Sequence, residues 1–276
     1  MAPARPFLKW AGGKTQLIGT LLEILPARNA TYYEPFIGGG ALFFALAAQG
    51  ERFQRAVLND WNQELVDAYR AIRDFPEEVI EQLKLLPYSK EVFLELRAKL
   101  PQDFSPCRRA ARMVYLNKCG FNGLYRVNKQ GQFNVPFGKF KGEPKFLDPE
   151  NLRACGKVLN RRVTLFNGDF ATVVEGVESG DAVYFDPPYV PVNTTSNFTS
   201  YTSDGFTIDD QHRLAASFRL LAEKGAAVVA SNSDTEVVRE LYKGFEIHAI
   251  QARRSINSKG DKRGTVGELI IVGRSA

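Results

Sequence analysis

The chain has little cysteine, little histidine and no long apolar run, and each shortage excludes something. Three cysteines, Cys107, Cys119 and Cys155, are scattered through 276 residues without a C-x-x-C pair. An odd, dispersed set does not read as a disulfide framework; idle or buried thiols in a reducing compartment are expected. The two histidines, His212 and His248, have no zinc-ligand spacing, so no metal is expected. No segment approaches the roughly 20 unbroken apolar residues that would span a bilayer. Met1 to Lys14 carries no apolar stretch of signal-peptide length before Lys9 and Gly12. A cytoplasmic protein with no membrane partner is expected.

What is present is ordinary in amount and telling in placement. The hydrophobic share is 44%, enough for one large domain or two modest ones. The net charge of +5 suits a polyanionic partner, weakly by itself. Arg126, Lys129, Lys139, Lys141 and Lys145 share one glycine- and aromatic-bearing stretch, and Arg253, Arg254, Lys259, Lys262 and Arg263 share another. Basic loops of this kind suit phosphate contacts.

Along the chain, an α/β pattern is interrupted and then resumes. Thr31 to Glu34 reads as a strand, Gly38-Gly39-Gly40 as a turn, Ala41 to Ala48 as a buried helix ending at Gly50, and Ala56 to Asn59 as a second strand ending at Asp60. Strand, glycine turn, helix, strand, acid is the order of a nucleotide-binding half-unit. Helices follow. Trp61, Leu65, Tyr69 and Ile72 make one apolar stripe; Pro76 opens a helix with Val79, Leu83 and Leu86 together; others run near Lys90 to Leu100 and Pro106 to Lys118. A turn-rich segment, Cys119 to Lys145, comes next. Buried strands are then expected at Val163–Asn167, Ala182–Phe185, Ala226–Ala230 and Gly267–Val272, with an edge strand at Phe245–Ile250. Thr207 and Asp210 form a capping box for a helix whose stripe is Leu214, Phe218 and Leu221. The expected fold is an α/β Rossmann-like sheet built from residues 1–60 and 147–276, with a helical and hairpin insertion at 61–146.

The tetrapeptide Asp186-Pro187-Pro188-Tyr189, ending a buried strand, carries the sharpest chemistry. The exocyclic nitrogen of adenine is a poor nucleophile, because its lone pair is delocalised into the ring. Acceptors that pull on its two protons localise that pair. Asp186 supplies a carboxylate, and Pro187 a carbonyl fixed by restricted φ angles. Tyr189 can stack on a base extruded from a duplex. Alone, Asp-Pro-Pro is more often a strand-ending turn; its place at a strand's carboxyl end favours the functional reading. In Glu34-Pro35-Phe36-Ile37-Gly38-Gly39-Gly40, the glycines admit a nucleoside or amino-acid group close to the backbone. The dinucleotide fingerprint fails at Phe43, which argues against NAD and for another adenosine-bearing cofactor. Asp60 is placed to hold ribose hydroxyls, with a helix N-cap as the competing role. Trp10 and Lys14, in FLKWAGGK, suit a packed aromatic and an anion contact.

Together these motifs resemble the Dam-type DNA adenine methyltransferases, the alpha group of the D12 class. FLKWAGGK, EPFIGGGALFF, LND, YLNKCGFNGLYRVNKQGQFNVPFG, YFDPPY and RRSINS occur in that family's order, from Phe7 to about Ile271. The resemblance implies a methyltransferase that uses S-adenosylmethionine to modify adenine N6 in double-stranded DNA, as a monomer. It implies cofactor contacts at Trp10, Lys14, Asp60 and Asp186, and an adenine-side aromatic at Phe170 of Asn167-Gly168-Asp169-Phe170. Phe36, Gly38, Gly40 and Asp169 join these from the same motifs. Phe121 would fill the gap beside a flipped adenine, and Asn122 would order the backbone. Leu124, Arg126 and Pro136 would read flanking bases, with Lys9 on the first guanine and Asn128 and Lys139 as further DNA contacts. GATC is the expected site. The alternatives are a different short target, or methylation of RNA or a protein glutamine, whose enzymes often carry Asn in place of Asp186. A DNA-binding module with a dead cofactor fold would need a missing acid or a broken glycine turn.

Overall fold

The computed structural model describes residues 2–10, 17–50, 52–128, 130–160, 162–191, 205–253 and 265–273. The strands are β1 (Asn29–Glu34), β2 (Phe53–Asn59), β3 (Val163–Phe166), β4 (Ala182–Phe185), β5 (Ala227–Ser233), β6 (Glu246–Arg253) and β7 (Thr265–Gly273). They form one sheet in the order β3-β2-β1-β4-β5-β7-β6. β2, β1, β4 and β5 pair in parallel, and β7 runs antiparallel to both β5 and β6. The strand order reverses between β1 and β4, the switch point of a doubly wound Rossmann-like sheet. β4 is buried along its whole length, as a central parallel strand requires. β3 was expected to be buried and is not: its residues alternate buried and exposed, because it lies at the sheet's edge.

The helices are α1 (Ile18–Ile24), α2 (Ala41–Ala48), α3 (Gln63–Asp74), α4 (Pro76–Lys84), α5 (Lys90–Ala98), α6 (Pro106–Cys119), α7 (Pro149–Val158), α8 (Phe170–Val173), α9 (Ile208–Glu223) and α10 (Glu236–Leu241). The chain divides into two compact units. The first comprises Met1–Ile18, Gly38–Gly50 and Asp60–Asn167, and the second Gly19–Ile37, Glu51–Asn59 and Gly168–Ala276.

In the first unit, α3 packs on α6 and α7, and α4 on α6. Leu65, Tyr69 and Ile72 are buried on α3, but Trp61 is not part of that stripe. It precedes the helix, whose N-cap is Asn62, and stands 73% exposed. Leu86 likewise falls beyond the end of α4. The centre of the unit holds an ion pair. Arg112 of α6, fully buried, donates to Glu64 Oε1 at 2.7 Å and to the carbonyls of Leu96 and Lys99.

In the second unit, one apolar cluster joins β1, β4, β5 and β7 to α8, α9 and α10, with Val183, Phe185, Leu214, Phe218, Val228 and Ile271 at its heart. The capping box of α9 forms as its sequence requires: Thr207 Oγ1 accepts from Asp210 N, and the Asp210 carboxylate accepts from Thr207 N. All three cysteines are buried and reduced, and burial pushes the thiols of Cys107 to about 11 and of Cys119 and Cys155 to about 12. Among the described residues, no helix is long and apolar enough to cross a membrane, and no cluster of His, Cys, Asp or Glu could hold a metal.

Candidate active site

In the second unit, the ends of β1 and β4 meet at the switch point, and the chain beyond each carries a motif. After β1, Pro35 and Phe36 follow Glu34, whose carboxylate accepts from Tyr32 Oη at 2.7 Å. Asn59, ending β2, is buried; its Nδ2 donates to the carbonyls of Pro35 (2.9 Å) and Gly168 (3.1 Å), tying together the segments that follow β1 and precede α8. Its Oδ1 is buried with no hydrogen-bond partner among the described residues.

Phe36 belongs to an aromatic group, with ring centroids 5.5 Å from Phe170 and 5.7 Å from Phe206. Asp169 caps α8 through Ala171 N at 2.9 Å and pairs with Arg213 at 2.8 Å. The Arg213 guanidinium also lies over Phe170, 5.1 Å from the ring centroid. The sequence reading did not single out Arg213: position 6 of a helix after its capping box carries no local signal.

Beyond β4, Asp186-Pro187-Pro188-Tyr189 begins where the strand ends. Asp186 Oδ1 accepts from Ser231 Oγ of β5 at 2.8 Å, and Ser231 Oγ lies 2.9 Å from Tyr184 Oη. The Pro188 carbonyl accepts from Gln211 Nε2 at 2.8 Å. Pro187 is buried and Tyr189 half-buried. Burial, reinforced by the Asp186 charge, holds the Tyr189 phenol well above its usual range, so the ring enters any chemistry at neutral pH as a neutral group.

In the first unit, the glycine turn is a cradle. Gly38 (φ 47°) and Gly40 (φ 70°) take the left-handed conformation that favours glycine. A Cβ at Gly38 would stand 2.7 Å from Trp10 Cδ1, and one at Gly40 2.7 Å from Tyr69 Oη. Tyr69 donates to the Gly38 carbonyl at 3.0 Å. The Asp60 carboxylate accepts from Gly38 N (3.0 Å) and Asn62 N (2.9 Å). Asp60 is therefore not the cap of α3; it shapes the turn. Trp10 stacks on Tyr125 at 5.2 Å and 25°. Lys14 lies outside the described residues.

The same unit holds the turn-rich segment. Two arms pair antiparallel, bridged at Gly120 with Phe137 and Val127 with Phe133. Phe121 is 41% exposed, and Asn122 beside it is left-handed (φ 55°). Leu124 is half-buried, while Pro136 and Lys139 are exposed. Arg126 is exposed and donates across the arms to Asn134 Oδ1 at 2.6 Å. Asn128 closes the turn, its Oδ1 accepting from Gln130 N and Gln132 N and its Nδ2 donating to Gln132. Lys9 is exposed at its side chain but fixed at its backbone. Buried Asn117 accepts from Lys9 N and donates to Lys9 O, both at 2.8 Å, and donates to Gly123 O at 2.9 Å. Asn117 was not foreseen, because its partners lie far off in sequence.

Comparisons with known proteins bear on these motifs. The model of the D12 class N6 adenine-specific DNA methyltransferases matches residues 10–256. A type II methyltransferase of Lactococcus lactis subsp. cremoris is 45% identical over 274 residues, 97% of this chain and 94% of that one. A type II methyltransferase of Methanocaldococcus jannaschii is 42% identical, covering 97% and 98%. A DNA adenine methylase of Vibrio cholerae is 37% identical, covering 99% and 97%.

Proposed function

The chain belongs to the D12 class of N6 adenine-specific DNA methyltransferases, and from that premise we propose that it methylates a flipped adenine within GATC in double-stranded DNA. The methyl donor is S-adenosylmethionine, which when bound supplies an electrophilic methyl carbon on a positively charged sulfur. The chain's residues fit that group. The buried Asn59 Oδ1, without a hydrogen-bond partner among the described residues, offers an acceptor to an amino group.

The roles divide by motif. Trp10, Lys14, Gly38, Gly40 and Asp60 are assigned to the cofactor, as are Phe36, Asp169 and Phe170. Asp186 and the Pro187 carbonyl accept the two N6 hydrogens, so that the nitrogen lone pair points at the incoming carbon. The donor, when bound, would give up its methyl carbon to N6 with the C–S electron pair staying on sulfur, and the Asp186 carboxylate would take the proton that N6 loses. Tyr189, neutral, stacks on the extruded base. Catalysis on this reading is positioning and electrostatics. Residues 61–146 are assigned to target recognition: Phe121 fills the vacated stack, Asn122 orders the backbone, and Lys9, Leu124, Arg126 and Pro136 read flanking bases. Asn128 and Lys139 are assigned as further DNA contacts. Two further loops, 190–206, rich in Ser, Thr and Asn, and the basic 253–264, lie largely outside the described residues.

The observation that carries the reading is Asp186-Pro187-Pro188-Tyr189 at the carboxyl end of β4, beside the switch point, with the carboxylate held by Ser231. The test is direct. Plasmid incubated with protein and S-adenosylmethionine should become resistant at GATC to nucleases blocked by N6-methyladenine. Labelled deoxyadenosine with GATC still cut would keep the chemistry and reject the site. Arg126→Ala should cost about 1–3 kcal/mol at one base position and relax selectivity there. Equal weakening on all sequences would make Arg126 a phosphate contact instead.

A further inference from the structure

The motif after β4 is gripped by residues that the reaction scheme does not use. The last three residues of β5, Ser231, Asn232 and Ser233, are buried and polar after four apolar ones, and the first two reach the motif through their side chains. β5 pairs with β4 in the register Tyr184 to Val229 and Phe185 to Ala230. Successive strand residues face opposite sides of a sheet. Ser231 thus lies on the side of Tyr184 and Asp186, and Asn232 on the side that α9 covers.

Each then reaches the motif from its own side. Ser231 has one hydroxyl proton, donated to Asp186 Oδ1 at 2.8 Å; its contact with Tyr184 Oη at 2.9 Å must therefore be accepted from the phenol. The result is a chain of donors, Tyr184 to Ser231 to Asp186, ending on the carboxylate. On the other side, Asn232 Nδ2 donates to Gln211 Oε1 at 3.0 Å, which orients Gln211 so that its Nε2 donates to the Pro188 carbonyl at 2.8 Å. Asn232 Oδ1 accepts from Val190 N at 3.3 Å. The diproline's fixed φ angles restrict its carbonyls, but with no N–H of their own the two prolines add no hydrogen bond that would hold them further. Gln211 occupies the Pro188 carbonyl and so distinguishes it from that of Pro187.

We propose that Ser231, and Gln211 held by Asn232, are positioning residues for methyl transfer: Ser231 fixes the carboxylate of Asp186, and Gln211 fixes the diproline so that the Pro187 carbonyl faces the amino group. This rests on the N6 reading given above. Misplacing a reacting group by about 1 Å costs on the order of 100-fold in rate. Their loss therefore slows the chemical step and leaves binding intact, because none of these side chains is assigned to either ligand.

The experiment is single-turnover labelling of deoxyadenosine in plasmid DNA, with affinities for sinefungin and for a plasmid fragment measured in parallel. Ser231→Ala and Gln211→Glu should each slow labelling by roughly 10- to 100-fold, with both affinities within about threefold of wild type. Ser231→Thr, which keeps the hydroxyl, should recover the rate to within about threefold, and Tyr184→Phe, which leaves the Ser231 donation in place, should cost no more than about threefold. Ser231→Cys, nearly isosteric but a weak donor, guards against misfolding and should slow labelling as alanine does. Full rate in Ser231→Cys, or failure of Ser231→Thr to recover it, overturns the proposal. Wild-type protein that binds both probes yet labels no deoxyadenosine overturns the N6 reading instead.

Discussion

Asp186→Ala should lower the rate of methyl transfer by roughly two to four powers of ten, the range for loss of a positioned proton acceptor. Affinity for duplex DNA should stay nearly unchanged. The carboxylate is one of two acceptors assigned to the amino group, and the other, a carbonyl, cannot localise the nitrogen lone pair alone. The substitution removes a charge from the end of β4 and leaves the Ser231 hydroxyl without its acceptor, but no β4 contact in the apolar cluster changes. Asp186→Asn separates the contributions. It keeps the shape and one acceptor oxygen while losing the charge, so its rate should fall between those of alanine and wild type. Single-turnover labelling, with fragment binding measured alongside, checks both. An alanine variant that labels adenine at the wild-type rate would remove Asp186 from the mechanism.

The motifs that carry this chemistry could be read from the sequence because each is local. Asp186-Pro187-Pro188-Tyr189 follows four consecutive apolar residues, and a strand of that kind has few places to go but the middle of a sheet. The glycine turn declared itself through residues that tolerate positive φ, and Thr207 with Asp210 through a spacing that only a helix start uses. What escaped was non-local. The exposure of Trp61 could not be told from a helical stripe, because periodicity does not say where α3 begins; Asn62, the cap, decides that. The edge position of β3 depends on strand order, not on its own four residues. Asn117, Gln211, Ser231 and Asn232 are ordinary polar residues in helices and strands. Their significance lies in partners 21 to 108 positions away that no spacing announces. Asp60 is intermediate: its place at a strand end was legible, but its grip on the Gly38 amide was not.

Arg112→Met should destabilise the protein by about 3–5 kcal/mol, the usual cost of removing one partner from a buried ion pair. Arg112 makes three hydrogen bonds from a fully buried guanidinium, and its loss strands two carbonyls and the carboxylate of Glu64. The damage should depend on pH in a definite direction. Burial already holds the Glu64 carboxyl above its ordinary value of 4.5, against the opposing pull of Arg112 and of the Tyr125 hydroxyl at 2.9 Å. A carboxyl whose folded value is raised favours folding fully below its unfolded value, and that contribution is lost as pH rises through the folded one. Without Arg112 the folded value rises further and the loss at neutral pH grows. The gap between variant and wild type should therefore narrow on going from about pH 7.5 to about pH 5 in urea unfolding, as protonation neutralises the stranded carboxylate. A gap that stays constant would mean that the lost carbonyl bonds, not the charge on Glu64, dominate the cost. Because Glu64 also receives the Tyr125 hydroxyl, and Tyr125 stacks on Trp10, the same substitution should loosen Trp10 from its place over the glycine turn. A weaker hold on sinefungin, measured under conditions where the variant remains folded, would register that loosening separately from stability.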